Sequence, residues 1–329
     1  MKIAILSDLH ANRPALVSVL QDADRQGVEE FWALGDFVGY GPHPVNILLF
    51  LKRYVHPDAW VMGNHDAMLA DLLTPEEVPH TRGAHPVQTA KGEGPTIYTR
   101  GKFLSDDEWY KTTATPIEAL LKNRSALAAH PEADAFWRAV FTPERAVPRL
   151  VERDGLTCSL VHASLRDPLS RYLYPWEDAV LLPREFASLD GLPRAQAAPA
   201  LQFYGHSHVP SFISAERGPG GEFRPQALPV FPNETQLLQA GIYLINPGSV
   251  GQPRDRDPRA AYLLFDTQIP SVTFRRVEYD YAETARDLLD AEYPESLVRR
   301  LRSAQAAESQ TPNAWLQHYD EARKRMMDE

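Results

Sequence analysis

The sequence predicts an α/β protein, and three observations carry that prediction. Over residues 1–70, apolar runs of strand length alternate with helix-like apolar patterns. From about residue 200 to 279 the pattern is mostly strand. Five of the apolar runs lead directly into Asp, Asn or His, and in α/β sheets ligands bind just beyond the carboxyl ends of the strands.

The elements follow in chain order. KIAIL (2–6) is a continuous apolar run of buried-strand length. Asn12 before Pro14 reads as a helix start; Leu16, Val19, Leu20 and Ala23 form its apolar face, and Gly27 stops it. EEFWAL (29–34) is a second strand, PVNILLFLKRYV (44–55) an apolar helix opened by Pro, and DAWVM (58–62) a third strand. Such an alternation implies parallel strands with right-handed crossovers.

Residues 75–155 break the pattern with several Pro and Gly, including KGEGP (91–95), and with helix-like pieces near 105–123 and 131–141. Ser105 and Glu108 fit a capping box. The stretch reads as a mainly helical insertion and a possible lid, whose Tyr98, Trp109 and Tyr110 are either pocket contacts or local core. Within its end, VPRLVERDGLTCSLV (147–161) reads as two strands turned at Asp154-Gly155.

LQFY (201–204), VPSFI (209–213), IYLI (242–245), AAYLLF (260–265) and SVTFRRVEY (271–279) are further strands, with loops at 215–225 and 251–258. Residues 280–329 read as amphipathic helices, with Leu288, Leu289, Leu297, Leu301, Trp315, Leu316 and Tyr319 on the buried face. The expected organisation is a core of 1–74 and 156–279, an insertion at 75–155 and C-terminal helices at 280–329.

Composition bounds the function. The 329 residues suffice for one large core with an insertion. Hydrophobic residues at 43% and charged residues at 24% describe an ordinary globular chain. A net charge of −10 argues against general nucleic-acid binding, but not against a phosphate substrate, because bound metal reverses the local charge. The single cysteine, Cys158, rules out an intrachain disulfide and is read as a core residue. The apolar run before Ser7 is too short for a signal peptide or a membrane span, so a cytoplasmic location without membrane contact is expected.

The strand ends carry the chemistry. KIAIL runs into Asp8 and His10, FWAL into Asp36, and WVM into Asn64, His65 and Asp66. TCSLV runs into His162, and LQFY into His206 and His208. Taken singly, an Asp after a strand is usually a helix cap and a lone His usually an ordinary one. Five strand ends converging on one sheet edge are not explained that way. With His65 and Asp66 set aside, the set is two carboxylates, one amide oxygen and four imidazoles, without thiolates. That excludes a cysteine-type zinc site and suits Mn, Fe, Co, Ni or Zn. Seven donors are too many for one such ion, so two ions sharing a carboxylate is the natural arrangement. The i, i+2 spacing of His206 and His208 puts both on one face only of an extended backbone.

In order along the chain, D-x-H (Asp8, His10), G-D (Gly35, Asp36), G-N-H-D (63–66), V-H (Val161, His162) and G-H-S-H (205–208) resemble the calcineurin-like metallophosphoesterase superfamily. The runs SDLHAN, GDFVGYGP, HASLRDP and NPGSVGQPRD (246–255) resemble its branch of small bacterial phosphoesterases. The resemblance covers residues 1–74 and 156–266. It implies a four-layer α/β/β/α sandwich and a dinuclear, metal-dependent phosphoesterase acting on a small phosphorylated substrate. By position, Asp8, His10, Asp36 and His208 would hold one ion. Asp36, Asn64, His162 and His206 would hold the other, with His65 as general acid. Asn12 and Arg166, each two to four residues beyond a ligand, are candidate phosphate contacts. The Ser/Thr protein phosphatases of the superfamily carry G-D-x-V-D-R-G and G-N-H-E, where this chain has GDFVGYG and GNHD. A protein phosphatase and a non-catalytic interaction scaffold on the same fold are the alternatives, and intact ligands weigh against the scaffold.

Overall fold

In a computed structural model, residues 1–72, 97–99, 110–112, 114–176, 180–193 and 198–305 are described, with backbone only at 71–72, 97–99, 110–112 and 114. The elements run β1 (Lys2–Leu6), α1 (Arg13–Arg25), β2 (Glu30–Ala33), α2 (Pro44–Tyr54), β3 (Val55–Trp60), α3 (Asn64–Leu72), β4 (Ile97–Thr99) and β5 (Tyr110–Thr112). They continue through α4 (Ala114–Ala128), α5 (Pro131–Val140), β6 (Arg149–Arg153), β7 (Leu156–Leu160), α6 (Leu181–Asp190), β8 (Ala200–Phe203), β9 (Ser211–Arg217) and β10 (Phe223–Leu228). The last are β11 (Thr235–Leu237), β12 (Ile242–Asn246), β13 (Ala260–Asp266), β14 (Ser271–Val277), α7 (Tyr281–Asp290) and α8 (Glu295–Ser303).

Two six-stranded mixed sheets stack face to face, in the orders β11-β14-β13-β1-β2-β3 and β10-β9-β12-β8-β7-β6. β1, β2 and β3 are parallel, as are β7, β8 and β12. Between the sheets lies an apolar layer that includes Ile3, Ile5, Trp32, Cys158, Phe203 and Phe265. Cys158 is fully buried there, as expected, and burial raises its thiol pKa. On the outer face of the first sheet, α1, α2, α4 and α5 bury Leu16, Val19, Ile47, Leu51, Leu120 and Trp137. On the outer face of the second, α6 buries Leu182, Phe186 and Leu189. Helices therefore flank a double sheet, which is the expected sandwich.

Several elements differ from the sequence reading. The third strand runs over Val55–Trp60 rather than 58–62. The range 215–225 is no loop: β9 continues to Arg217, and β10 pairs back on it through a turn at 218–221. Helix α4 begins at Ala114. The stretch expected as an insertion also extends into the sandwich. β6 pairs with β7 through the expected turn at Asp154-Gly155, and α4 and α5 bury their apolar faces against α2. Leu288, Leu297 and Leu301 are buried, but Leu289 is 51% exposed, at the margin of the buried face of α7. Ser105, Glu108, Trp109, Trp315, Leu316 and Tyr319 lie outside the described residues, as do the side chains of Tyr98 and Tyr110. Among the described residues, no helix is long and apolar enough to cross a membrane.

Candidate metal centre

The five strand ends meet at one edge of the sandwich. Asp8, His10, Asp36 and His208 bring donor atoms together, and Asp36, His162 and His206 form a second group sharing Asp36. All are nine-tenths or more buried. Asp36 Oδ2 lies 3.6 Å from His10 Nε2 and 3.6 Å from His162 Nε2, midway between the two groups. Asn64, at the start of α3, faces His162 Nε2 with its Oδ1 at 3.1 Å.

The local backbone is bent to make this possible. Asp8, His10, Asp36, His206 and His208 all have φ between 45° and 65°. That left-handed region costs a non-glycine residue on the order of 1 kcal/mol or more, and such residues cluster at functional sites. Close approach also demands small neighbours. A Cβ on Gly63 would lie 2.1 Å from Asp36 Oδ1, and one on Gly205 would lie 1.9 Å from Ser7 Oγ.

Each imidazole is oriented by a backbone carbonyl. His10 Nδ1 donates to Val38 O at 3.0 Å, and His162 Nδ1 to Leu34 O at 2.7 Å. His208 Nδ1 donates to Gln252 O at 2.6 Å, and His206 Nε2 to Ser170 O at 3.1 Å. Burial leads in lowering the pKa of His10, His206 and His208, so these rings are neutral near pH 7 and their one proton is spent on a carbonyl. Their other nitrogens then carry lone pairs. Yet His10 Nε2 and His208 Nε2 stand 3.1 Å apart, and His162 Nε2 and His206 Nδ1 stand 3.2 Å apart. Asp8 Oδ1 faces His208 Nε2 at 3.2 Å, and that oxygen has no hydrogen bond. Facing lone pairs repel unless a cation lies between them. With metal–nitrogen bonds of about 2.0–2.1 Å, two ligands of one ion sit roughly 3 Å apart. The donor set thus fits divalent metal, and the carbonyls are the outer hydrogen bonds that fix ligand tautomers.

The surrounding residues hold the frame. Asp66 Oδ1 accepts from Phe37 N at 2.9 Å and Val38 N at 3.2 Å, and its Oδ2 accepts from Gly63 N at 2.9 Å. It thereby ties the Asp36 loop to the Asn64 loop. Asp36 Oδ1 accepts from His65 N at 2.9 Å. Burial first, then the Asp8 carboxylate, push the Asp36 pKa well up, another sign that a cation belongs here. His65 is 4% exposed and its ring packs against Tyr40 and His10, with centroids 4.5 and 4.9 Å away. Its Nδ1 is buried without a partner.

Asn12 and Arg166, the two expected phosphate contacts, are found in other surroundings. The Asn12 side chain is committed as the cap of α1: Oδ1 accepts from Ala15 N and Thr284 Oγ1, while Nδ2 donates to Gly251 O and Tyr279 Oη. That exhausts its hydrogen-bonding capacity. Arg166 is exposed, and its charge acts on Glu185 rather than on the metal-binding groups. Three residues at the site were not singled out from sequence. Tyr172 stacks on His206 at 4.0 Å, Tyr40 covers His10 and His65, and Arg254 reaches Tyr40 Oη at 3.5 Å. Arg254 lies in the NPGSVGQPRD run, which marked the segment but not the side chain.

A fold with two stacked sheets and a buried Asp/His cluster joined by the half-buried Asn64 at their edge defines a class, the metallophosphoesterases. The model of the calcineurin-like phosphoesterase superfamily domain matches residues 1–269. The chain belongs to that superfamily, a metal-dependent family of phosphoester hydrolases. It is 31% identical to a metallophosphoesterase from Sphaerobacter thermophilus, whose crystal structure matches with a TM-score of 0.64 over 92% of this chain and 99% of that one. A hypothetical protein from Pyrococcus horikoshii, 16% identical, shares the fold with a TM-score of 0.60 over 93% of this chain and 99% of its own. An uncharacterized protein of Methanocaldococcus jannaschii is 27% identical over 303 residues, 91% of this chain and 96% of that one.

Proposed function

We propose that the protein is a two-metal phosphoesterase that hydrolyses a small phosphodiester, nucleotide or phosphomonoester. The observation that carries this reading is the position of Asp36 Oδ2, 3.6 Å from a nitrogen of each donor group. Asp8, His10, Asp36 and His208 would hold one ion, and Asp36, Asn64, His162 and His206 the other. When bound, such a pair supplies charge stabilisation at phosphorus and a water acidified to near neutrality.

The chain's own residues do the rest. The four carbonyls that receive the imidazole protons keep the ligand nitrogens aimed inward. His65 is the general acid that gives a proton to the leaving oxygen. Its backbone is pinned by Asp36, and its ring has room because position 39 is glycine: a Cβ there would lie 2.4 Å from His65 Nδ1. The protein phosphatase reading is disfavoured because the positions of its Asp-Arg pair hold Gly39 and Tyr40, and Tyr40 is packed on His10 and His65.

The test is metal analysis with a hydrolysis panel of diester, monoester, cyclic nucleotide, dinucleoside polyphosphate and phosphopeptide, with Mn²⁺ supplied. We expect about two metals per chain, and turnover of a small ester. His65→Ala keeps its metal and loses turnover by about 10²–10⁴ on a poor leaving group. An absence of bound metal would overturn the mechanism. Unchanged rates in His65→Ala would remove His65 from its role.

A further inference from the structure

Arg254 is a half-buried cation beside the candidate metal centre. Its Nε is buried and has no hydrogen-bond partner, and one terminal nitrogen reaches only Tyr40 Oη and Gln252 Oε1, both neutral and both at 3.5 Å. Among the described residues it makes no ion pair. The adjacent carboxylate, Asp255, is turned away into an ion pair with Arg276. A guanidinium stays charged at any working pH. The residue as a whole is half-buried and feels the Asp8 and Asp36 carboxylates without pairing with either; its buried Nε, left without an acceptor, is the costly feature, and a ligand oxygen would complete it.

Its place is fixed by the metal-binding frame. Arg254 N donates to His208 O at 3.3 Å, while Gln252 O accepts from His208 Nδ1 at 2.6 Å, so the loop grips His208 from both ends. Tyr40, which the guanidinium reaches, packs its ring 4.6 Å from His10 and 4.5 Å from His65. Electrostatics agree with this closeness: after burial, the Arg254 charge is the leading cause that lowers the pKa of His65 and of His208. The loop is itself braced, because Arg276 also donates to Arg259 O and Arg259 pairs with Asp257. The loop backbone that carries Arg254 is therefore held in place beside the donor cluster.

We propose that Arg254 binds a non-bridging oxygen of the substrate's phosphoryl group, and of the phosphate product. This rests on the phosphoesterase reading for its substrate. The planar fork of Arg matches two phosphoryl oxygens, which a lysine ammonium does not. The role is one of substrate binding, separate from holding metal and from protonating the leaving group.

The experiment compares metal-loaded wild type, Arg254→Gln and Arg254→Lys, with inorganic phosphate as the calorimetric probe. Expected is unchanged metal content and phosphate affinity about ten- to a hundredfold weaker in Arg254→Gln, the size of a lost charge-assisted pair. Arg254→Lys falls between. In phosphate-free buffer the Arg254→Gln melting temperature equals or exceeds that of wild type, because an uncompensated charge has been removed; a brace would melt earlier when cut. Undiminished phosphate affinity in a metal-replete Arg254→Gln overturns the proposal, as does a lowered melting temperature with affinity retained. Arg254-dependent phosphate binding in a wild type that hydrolyses no ester would instead retire the phosphoesterase reading and leave this assignment standing.

Discussion

Gly205→Ala is the sharpest probe of how the centre is built. The added methyl would lie 1.9 Å from Ser7 Oγ, 2.9 Å from Asp8 Oδ2 and 3.1 Å from Ser7 Cβ. The φ of Gly205 lies outside the left-handed region, so the cost is steric rather than conformational. Ser7 is fully buried, and its hydroxyl donates to Asp8 Oδ2 at 2.6 Å. The methyl and that hydroxyl cannot share the space. Losing a hydrogen bond to a charged group costs about 1.5–3 kcal/mol, and overpacking a tight site a further 1–3 kcal/mol. We expect about 3–5 kcal/mol of destabilisation in metal-free protein, measured by urea unfolding. Ser7→Ala alone should cost only the hydrogen bond. In the double variant the hydroxyl is gone, so the methyl meets only Ser7 Cβ and Asp8, and the two costs should fall short of their sum by more than about 1 kcal/mol. Strict additivity would refute the reasoning, because it would mean that the methyl and the hydroxyl never compete.

Other outcomes follow from the same frame. Asp66→Ala leaves the buried N–H groups of Phe37, Val38 and Gly63 without an acceptor, and should destabilise by about 3 kcal/mol or more in chemical unfolding; a loss under about 1 kcal/mol would show that Asp66 does not join the loops. Metal-stripped protein should lose stability as pH falls below 6.5. His10, His65 and His206 have folded pKa values well below that value, chiefly through burial, so the unfolded chain takes up protons that the folded one refuses. Each group contributes up to about 1.4 kcal/mol per pH unit, and equal melting temperatures at pH 7.5 and 5.5 in chelator would contradict it.

The seven metal-capable residues were legible because each strand is an apolar run that stops abruptly at a chelating side chain, and the topology brings those stops together. Two edge strands were misplaced or missed, although the edge strand β6 was read. Both β3 and β10 lie at sheet edges and each contains a proline, Pro57 and Pro225. An edge tolerates a residue with no N–H and a polar outer row, so such a strand reads as loop. Asn12 was read correctly as a cap, and its side chain is taken up by that job. Arg254 escaped because what marks it is a buried Nε without a hydrogen-bond partner, and no sequence pattern encodes that. Asn123 escaped for the opposite reason. Its Oδ1 accepts from Gly39 N and its Nδ2 donates to Gly41 O and Tyr293 Oη, joining three segments far apart in sequence.

The placement of the donor residues also governs when they can come together during folding. His10 and His208 are 198 positions apart, yet their nitrogens face each other at 3.1 Å, and His208 is in turn oriented by Gln252. A chain emerging from the ribosome cannot assemble either half of the centre from local contacts, since loops of this length close slowly and late. The first three ligand-bearing strand ends, those of β1, β2 and β3, must wait for more than a hundred further residues. A truncated product therefore carries an incomplete donor set, and the candidate centre is assembled only when both sheets have closed on each other.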